Sequence, residues 1–337
     1  MPTPAQPAAP DWRSLHGDAF DNCRVLITGG AGFIGSHLAE ALSKLGAHVV
    51  VIDDLSGGAQ ENIAPFERVQ FVNASILDQG ALSRCTAGCR YVFHQAALGS
   101  VPRSVEQPRL YNEVNTTGTL NVLEAARDAG VNRVMFAASS SAYGENPVPW
   151  VETMPVLPVS PYAATKVAGE ALLRAYSGSL GLDTASLRYF NIFGPRQNAN
   201  SAYAAVIAAF AKAVIGGKRP TIFGDGEQSR DFTFVHNAVH ANLLAARHPE
   251  PIRGEVINVG CGGRISVNDL AREVGQILQR PDLKPLHAPE RAGDLKHSFA
   301  DLDRARSILA YKPIVDFEPG LRQTLAWYKA VLSGSAR

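Results

Sequence analysis

The sequence predicts an α/β protein with a doubly wound parallel sheet and a smaller C-terminal region. Three observations predict this fold class. Apolar, β-branched runs alternate with segments of helical period, a glycine-rich turn joins the first such run to the first helix, and loops rich in Gly, Pro and Asn break the pattern after about residue 190. Strand–helix alternation is typical of parallel sheets with right-handed crossovers.

Seven apolar runs are the predicted strands. Because these runs are almost unbroken, we expect helices to cover both faces of the sheet. Segments 35–46 and 116–130 between them have helical period, and each ends at a glycine. The predicted strands span residues 24–29, 48–53, 69–73, 91–95, 133–140, 184–194 and 255–260.

The composition excludes several classes of protein. The chain has 337 residues and a formal net charge of +1, which gives no electrostatic basis for binding nucleic acid or an anionic membrane. No apolar run reaches the ~18 residues of a transmembrane helix, and the start lacks the features of a secretory signal. The four cysteines have no partners at metal-like spacing, so we expect no metal site and a cytoplasmic protein with reduced thiols.

The turn after the first strand, "ITGGAGFIGSHL", carries glycines at Gly29, Gly32 and Gly35. Such glycines allow a tight turn, close backbone approach to a pyrophosphate and close helix–strand packing. Asp53 ends the second strand, where a carboxylate accepts hydrogen bonds from the adenosine ribose hydroxyls and repels a 2′-phosphate. These features predict a Rossmann-like domain that binds NAD rather than NADP.

We divide the chain into three parts on this basis. Residues 1–21 are predicted to form a flexible N-terminal tail, with a short helix after about residue 10. The NAD-binding domain is expected to span residues 22–190, with a later contribution from about 235–260. Residues 191–234 and 261–337 are expected to bind the substrate at the carboxyl edge of the sheet.

Two polar motifs follow the fifth strand. "AASSSAYGENP" begins at that strand's carboxyl end, although serines there can also be solvated or cap the backbone. "SPYAATKVAGE" places Tyr162 and Lys166 four positions apart, on one helix face. A free tyrosine, with a pKa of about 10, is a poor base near neutrality, and a neighbouring ammonium lowers that pKa. On spacing alone, an ordinary helix surface remains an alternative.

These motifs together resemble a known family. "TGGAGFIGSHL", "SSSAYGE" and "SPYAATKVAGE" resemble the extended short-chain dehydrogenases/reductases of the NAD-dependent epimerase/dehydratase family. "FNIFGPRQ", "FGDGEQSRDF" and "RAGDLKHSFADLDRAR" resemble its nucleotide-sugar branch, most of all the UDP-N-acetylglucosamine and UDP-glucose 4-epimerases. The resemblance runs from about residue 24 to residue 328.

The resemblance implies roles for individual residues. The implied catalytic residues are Ser139, Tyr162 as the base and Lys166 as its partner, which also binds the nicotinamide ribose. The implied cofactor residues are Gly29, Gly32, Phe33, Ile34, Gly35, Asp53, Ser75, Ile76, Ala96, Asn115, Tyr162 and Lys166. The implied substrate residues are Ser140, Ser141, Asn191, Tyr203, Ala205, Val206, Arg230, Arg291, Asp294 and Ser298.

Two positions depart from the family pattern. Ser75 stands where relatives often carry an aspartate that contacts the adenine amino group, so we expect a weaker contact there. His236 stands in a segment that usually carries an acidic pair, and we assign it no role.

The implied reaction is NAD-dependent 4-epimerisation of a UDP-hexose through a transient 4-keto sugar. Dehydratases of this family need an acid where this chain has Ser140 and Ser141, and a serine hydroxyl is no such acid at ordinary pH. Decarboxylases of UDP-glucuronate tend to carry a glutamate at the position of Ser141. Neither reaction is therefore expected.

The substrate is predicted from one small side chain. In the family a residue at the position of Ser298 borders the substituent on C2 of the sugar, and a small residue leaves room for an N-acetyl group. This favours UDP-GlcNAc and UDP-GalNAc, with UDP-Glc and UDP-Gal also candidates. A UDP-glucuronate 4-epimerase is the nearest alternative, and a non-catalytic NAD-binding sensor or scaffold is another. The resemblance further implies a homodimer through helices at 115–129 and 162–176.

Overall fold

A parallel sheet organises the chain. The computed structural model describes residues 10–198, 206–290 and 296–334. Its strands are β1 Arg24–Thr28, β2 His48–Asp53, β3 Val69–Asn73, β4 Tyr91–His94, β5 Arg133–Ser139, β6 Thr184–Tyr189, β7 Ile192–Phe193, β8 Thr221–Phe223, β9 Ser229–Arg230, β10 Thr233–Phe234, β11 Glu255–Val259, β12 Ile265–Ser266, β13 Leu286–Ala288 and β14 His297–Ser298.

Helices connect these strands. They are α1 Trp12–His16, α2 Phe33–Lys44, α3 Gln79–Thr86, α4 Val101–Glu106, α5 Pro108–Asn112, α6 Gly118–Asp128, α7 Pro161–Ser179, α8 Val206–Ile215, α9 Val235–Arg247, α10 Val267–Ile277, α11 Asp303–Leu309 and α12 Phe317–Leu332. A π-helical segment, Glu113–Thr117, precedes α6, and a 3₁₀ turn, Ser140–Tyr143, follows β5. Among the described residues, no helix is both long and apolar enough to cross a membrane.

The seven-stranded sheet has the order β11-β6-β5-β4-β1-β2-β3, and all of its pairings are parallel. Alternate residues of β1 face opposite layers. Val25 and Ile27 pack with α2 and α9, whereas Leu26 packs with α3, α6 and α7. Because helices cover both faces, the strands need unbroken apolar runs, and the predicted doubly wound fold is confirmed.

The predicted strand 184–194 is interrupted. The structure forms β6 and β7 instead, separated by Phe190 and Asn191. Asn191 has a φ of 39°, in the left-handed region that a regular strand cannot accommodate. The chain therefore leaves the sheet at its carboxyl edge, and β7 pairs with β10 outside it.

The C-terminal region packs around its own apolar cluster. Helices α8, α10 and α12 enclose Phe193 and Phe234 there. A small sheet of order β12-β9-β14 lies beside this cluster, and its register sets Ser298 opposite Arg230. The proposed domain division at residue 190 stays a prediction. From the later sequence, β11 joins the main sheet beside β6 and α9 packs on that sheet, within the later contribution expected from about residues 235–260.

The N-terminal segment is packed rather than free. Asp11 caps α1 by accepting a hydrogen bond from the Ser14 N–H at 3.1 Å, and Trp12 and Phe20 are buried. The prediction of a flexible tail over residues 1–21 is therefore wrong for its described part, because apolar side chains there enter the core. Residues 1–9 lie outside the described residues.

Four histidines meet where α1 packs against α2 and α9. His16 Nε2 and His240 Nδ1 are 3.1 Å apart, and the His37 and His236 rings are edge-on at 5.4 Å. Burial lowers the pKa of His16 to about 3, and those of His236 and His240 to about 4. Burial also holds the pKa of His37 well below its usual value. His236 thus has a structural place, beside Trp12 and Phe234.

This cluster predicts loss of stability in mild acid. In the unfolded chain these histidines bind protons near pH 6.5, but the folded chain keeps His236 and His240 neutral down to about 4. The unfolded state therefore holds more protons in that window, so the free energy of unfolding falls as the pH drops through it. Replacing His236 with Phe should reduce the slope by up to about 1.4 kcal/mol per pH unit.

Urea unfolding at several pH values between 7 and 4 measures this slope. His48, which is exposed at the start of β2, supplies the control variant His48→Gln, which should retain the full slope. Equal slopes for His236→Phe and the unmodified chain would show that the cluster does not cause the acid sensitivity.

Candidate active site at the carboxyl edge of the sheet

A cleft of about 1020 Å³ lies at the carboxyl edge of the sheet, where β1, β2, β5 and β6 end. A second cavity of about 320 Å³ adjoins it within the C-terminal region. Asn191, Ile192 and Arg230 line both cavities. The two cavities can therefore hold parts of one long ligand.

The glycine turn forms one wall of the cleft. Gly29 has a φ of 68°, and a Cβ atom there would lie 2.7 Å from the Ala96 backbone. A Cβ atom at Gly35 would lie 2.2 Å from the Gly29 carbonyl oxygen. Helix α2 begins just after Gly32, and no side chain caps its first N–H groups. These groups are free to bind an anion, so the turn fits a dinucleotide pyrophosphate.

Asp53 stands beside this turn at the end of β2. Its carboxylate accepts hydrogen bonds from the Ala31 N–H at 3.0 Å and the Leu55 N–H at 2.8 Å. Burial raises its pKa, and these backbone hydrogen bonds oppose that rise. Asp53 also lines the cleft, where its remaining lone pairs can accept ribose hydroxyls.

Most of the other predicted cofactor residues line the cleft, namely Phe33, Ile34, Ile76 and Ala96. Ser75 and Asn115 are not among its described lining residues, and their contact with the cofactor stays a prediction. Ser75 instead accepts a hydrogen bond from the Leu77 N–H at 3.2 Å. The buried Asn115 amide bonds both backbone groups of Leu98 and the Thr165 hydroxyl, so it holds the segment after β4 from behind.

The serine turn follows β5 directly. Ser139 Oγ accepts hydrogen bonds from the Ser141 N–H at 3.2 Å and from Ser141 Oγ at 2.9 Å. With both lone pairs engaged, the Ser139 hydroxyl can only donate, and in the protein alone it does so to Tyr162. Ser139, Ser140 and Ser141 all line the cleft, as predicted from their place at the strand end.

Helix α7 carries Tyr162 and Lys166 into the same cleft. Ser160 caps this helix by accepting the Ala163 N–H at 3.1 Å, and Pro161 occupies its first turn. Lys166 Nζ donates to the Ala137 carbonyl at 2.7 Å and lies 5.9 Å from the centre of the Tyr162 ring. The structure thus brings the predicted pair together with Ser139.

The pKa of Tyr162 corrects one expectation. Burial raises it above its usual value, and a hydrogen bond with Ser139 opposes the rise. Burial also lowers the pKa of Lys166 to about 8. In the protein alone the pKa of Tyr162 is therefore raised and not lowered as expected, because burial disfavours the charged form.

The predicted substrate residues occupy the side of the cleft nearest the C-terminal region. Asn191 donates to the Asp231 carbonyl at 3.1 Å and to Ser298 Oγ at 3.3 Å. Ser298 is buried and Arg230 lies opposite it across β9 and β14. Val206 lines the smaller cavity. Tyr203, Ala205, Arg291 and Asp294 lie outside the described residues.

Some lining residues were not predicted. Tyr189 accepts a hydrogen bond from the Asn242 amide at 2.6 Å and donates to Gln95 at 3.2 Å, so three separate segments meet at the cleft floor. Gly58 lies against the Ala31 backbone, which a Cβ atom would approach to 2.7 Å. The Gly57-Gly58 pair in the loop after β2 was a sequence signal that the backbone approaches another segment closely there. Nothing local in the sequence links Asn242 to Gln95.

The fold and this site define a dinucleotide-binding α/β enzyme that acts at the carboxyl edge of its sheet. Residues 25–260 match the NAD dependent epimerase/dehydratase family, and the chain belongs to this family. NAD is its cofactor, and the glycine turn leaves the space that this group needs.

Similar proteins cover nearly the whole chain. A UDP-N-acetylglucosamine 4-epimerase from Methanobrevibacter ruminantium, solved with UDP-N-acetylmuramic acid, is 41% identical with a TM-score of 0.88, and covers 93% of this chain and 100% of its own. A UDP-glucose 4-epimerase from Thermotoga maritima, solved with UDP-glucose, is 37% identical with a TM-score of 0.86, covering 92% and 99%. The UDP-glucose 4-epimerase of Mycolicibacterium smegmatis is 40% identical, covering 91% and 98%.

The glycine contact predicts the effect of Gly35→Ala. The added Cβ atom would meet backbone at 2.2 Å, so α2 must move away from β1. Overpacking of this kind costs about 1–3 kcal/mol, and NAD affinity should fall about tenfold or more. Isothermal titration with NAD measures the loss.

Gly178→Ala is the matched control for this substitution. Gly178 lies in α7 with no atom within 4 Å of the added Cβ, so NAD affinity should be unchanged. Wild-type affinity in Gly35→Ala would contradict the role of the close contact.

Proposed function

We propose that this enzyme is a UDP-sugar 4-epimerase that interconverts UDP-GlcNAc and UDP-GalNAc, and that also turns over UDP-Glc and UDP-Gal. The observation that carries the proposal is the small, buried Ser298, which is hydrogen bonded to Asn191 on the wall of the cleft. Relatives of this enzyme that are named UDP-sugar 4-epimerases support the general reaction, epimerisation at C4′ of a UDP-sugar.

The chain's own residues can move the proton that the reaction requires. NAD, when bound, supplies the hydride acceptor and donor for C4′ of the sugar and a positively charged ring. Tyr162 takes the proton from the 4′-hydroxyl and later returns it. Ser139, whose hydroxyl is hydrogen bonded with Tyr162 in the protein alone, donates its proton to the 4′-oxygen when the sugar is bound and so holds that oxygen near Tyr162. Any added positive charge near the phenol favours phenolate, which offsets the effect of burial on its pKa.

The side chains next to Ser139 disfavour elimination of water. Ser140 and Ser141 line the cleft after Ser139, and the aliphatic hydroxyl of a serine is too weak an acid to serve as a general acid at ordinary pH. Dehydration across C5′ and C6′ would need an acid and a base in addition to the tyrosine. The serine turn therefore supports epimerisation over 4,6-dehydration.

The residue at position 298 supports the preference for N-acetylated sugars. Ser298 faces the cleft beside Asn191, and its small volume leaves space that a tyrosine would fill. The relative from Methanobrevibacter ruminantium, which is named a UDP-N-acetylglucosamine 4-epimerase, supports the same preference.

UDP-glucuronate is the second candidate substrate. The hydroxyls of Ser140 and Ser141 can donate to a carboxylate, which favours it. The carboxylate of Glu145 also lines the cleft and repels a negatively charged sugar, so we rank UDP-glucuronate below the N-acetylhexosamines.

We further propose that the protein is a homodimer. The outward side of α7 carries the exposed small residues Ala164, Ala171 and Ala175, which suit close helix–helix packing. Helices α6 and α7 also resemble the helices through which members of the family form dimers, which supports this proposal.

Replacing Tyr162 with Phe should abolish most turnover. The variant keeps the ring and loses the group that moves the proton, so kcat should fall by about 100-fold or more while NAD and UDP affinities stay near wild type. Tyr176→Phe, on the same helix and buried away from the cleft, is the control. Unchanged turnover in Tyr162→Phe would remove the assigned base and favour a binding protein without catalysis.

A substrate panel tests the sugar preference. The enzyme is incubated separately with UDP-GlcNAc, UDP-Glc and UDP-glucuronate, and the C4 epimers are quantified by chromatography. UDP-GlcNAc should give the highest kcat/KM. Ser298→Tyr should lower kcat/KM for UDP-GlcNAc by about tenfold relative to UDP-Glc, and Ser298→Ala should leave the ratio unchanged. Equal losses on both sugars would exclude position 298 as the specificity determinant.

A further inference from the structure

Helix α7 continues its catalytic face one turn beyond Lys166. Tyr162, Lys166 and Glu170 are spaced by four residues and share one side of the helix. Lys166 and Glu170 are buried, at 3% and 6% exposure. A carboxylate buried on this face needs a partner, because an isolated buried charge is strongly unfavourable.

Arg188 of β6 is that partner. Its Nε donates to Glu170 Oε1 at 2.8 Å and its Nη2 donates to Glu170 Oε2 at 2.7 Å. The two side chains are only 3% and 7% exposed. A bidentate pair of this kind fixes the carboxylate in one orientation and joins α7 to the central sheet.

Arg188 is also held from the other side. Its guanidinium carbon lies 4.5 Å from the centre of the Tyr143 ring, in the 3₁₀ turn that begins after Ser139. The Tyr143 hydroxyl donates to Asn258 Oδ1 at 2.7 Å, and its ring stacks on Trp150 at 5.1 Å. The Glu170–Arg188 pair therefore connects the helix that bears Lys166 with the serine turn.

Two contacts of Lys166 favour its charge, but its burial opposes it. Its Nζ lies 4.9 Å from the centre of the Phe136 ring and donates to the Ala137 carbonyl. Burial lowers its pKa to about 8, and Glu170 acts in the opposite direction. His94 on β4 is close enough for Lys166 to lower the His94 pKa, but burial already keeps that ring neutral, with a pKa of about 3. Tyr162 on α7 is neutral as well, because burial raises its pKa.

We propose that Glu170 is a positioning residue, which keeps Lys166 charged within the cleft, and that Arg188 fixes Glu170 in the orientation that does so. This inference rests on the proposed epimerase reaction, in which a charged Lys166 supports Tyr162. Neither Glu170 nor Arg188 lines the described part of the cleft, so both act through Lys166.

The test follows Lys166 directly. NMR with ¹³Cε-labelled lysine reports the titration of each ammonium in the full chain with NAD added, and Lys166→Met assigns the signal. In Glu170→Gln, Lys166 should titrate about one pH unit or more below its wild-type value, because the carboxylate is lost and the Arg188 charge remains. The alkaline limb of kcat/KM should move to lower pH in parallel, with activity approaching wild type near pH 6.

Asp183→Asn is the matched structural control. Asp183 pairs with Arg133 in another part-buried ion pair, with side-chain exposures of 17% and 7%. Its loss should reduce stability without moving the Lys166 titration or the pH profile. Glu170→Asp keeps the charge and should restore most of the wild-type titration. If Glu170→Gln does not fold, Glu170→Gln/Arg188→Met removes both charges, and a smaller downward shift of the titration is expected.

Two results would overturn the inference. One is a Lys166 titration in Glu170→Gln, or in the double variant, that coincides with wild type. The other is an activity loss of equal size at every pH, as a purely structural role predicts. If the wild-type enzyme turns over no UDP-sugar, the proposed function is wrong. The NMR titration would still show whether Glu170 keeps Lys166 charged.

Discussion

The ligand edge of this molecule depends on one close backbone contact, between the first turn of α2 and the end of β1. The Gly29 carbonyl lies where a side chain at Gly35 would begin, so helix and strand approach more closely than other residues permit. This contact sets the free N–H groups of α2 beside Asp53, which accepts the backbone N–H of Ala31 in the same turn. The position of the dinucleotide, and hence of everything that must reach it, follows from that geometry.

Burial of ionisable side chains is the second physical constraint on the site. It raises the pKa of Tyr162, lowers that of Lys166 to about 8 and raises that of Asp231 to about 6. Asp231 is fully buried beneath Asn191 and accepts the N–H groups of Cys261 and Gly262, each at 2.9 Å. Burying ionisable groups costs folding free energy, because they lose their hydrogen bonds to water. Neighbouring dipoles or charges compensate for part of that loss.

The sequence predicted the sheet well because a strand buried on both faces requires an unbroken apolar run. It predicted the glycine turn and the Tyr162–Lys166 pair because each depends on residues close together in the chain. It could not predict that Asn115 bonds Leu98 and Thr165, since that depends on how α7 packs. It also misjudged the pKa of Tyr162, because the cost of burial is a property of the assembled fold.

The packing of α1 has a consequence for synthesis on the ribosome. The contact between His16 and His240 joins positions 224 residues apart, and Trp12 packs on His236 nearby. After it leaves the exit tunnel, α1 must therefore wait until residues more than 200 positions later have been made before its apolar face is covered. Contacts of such long range slow folding and leave apolar surface exposed to other chains meanwhile. Helix α1 is thus made long before its partner α9, and a chaperone that binds nascent chains would meet it in that interval.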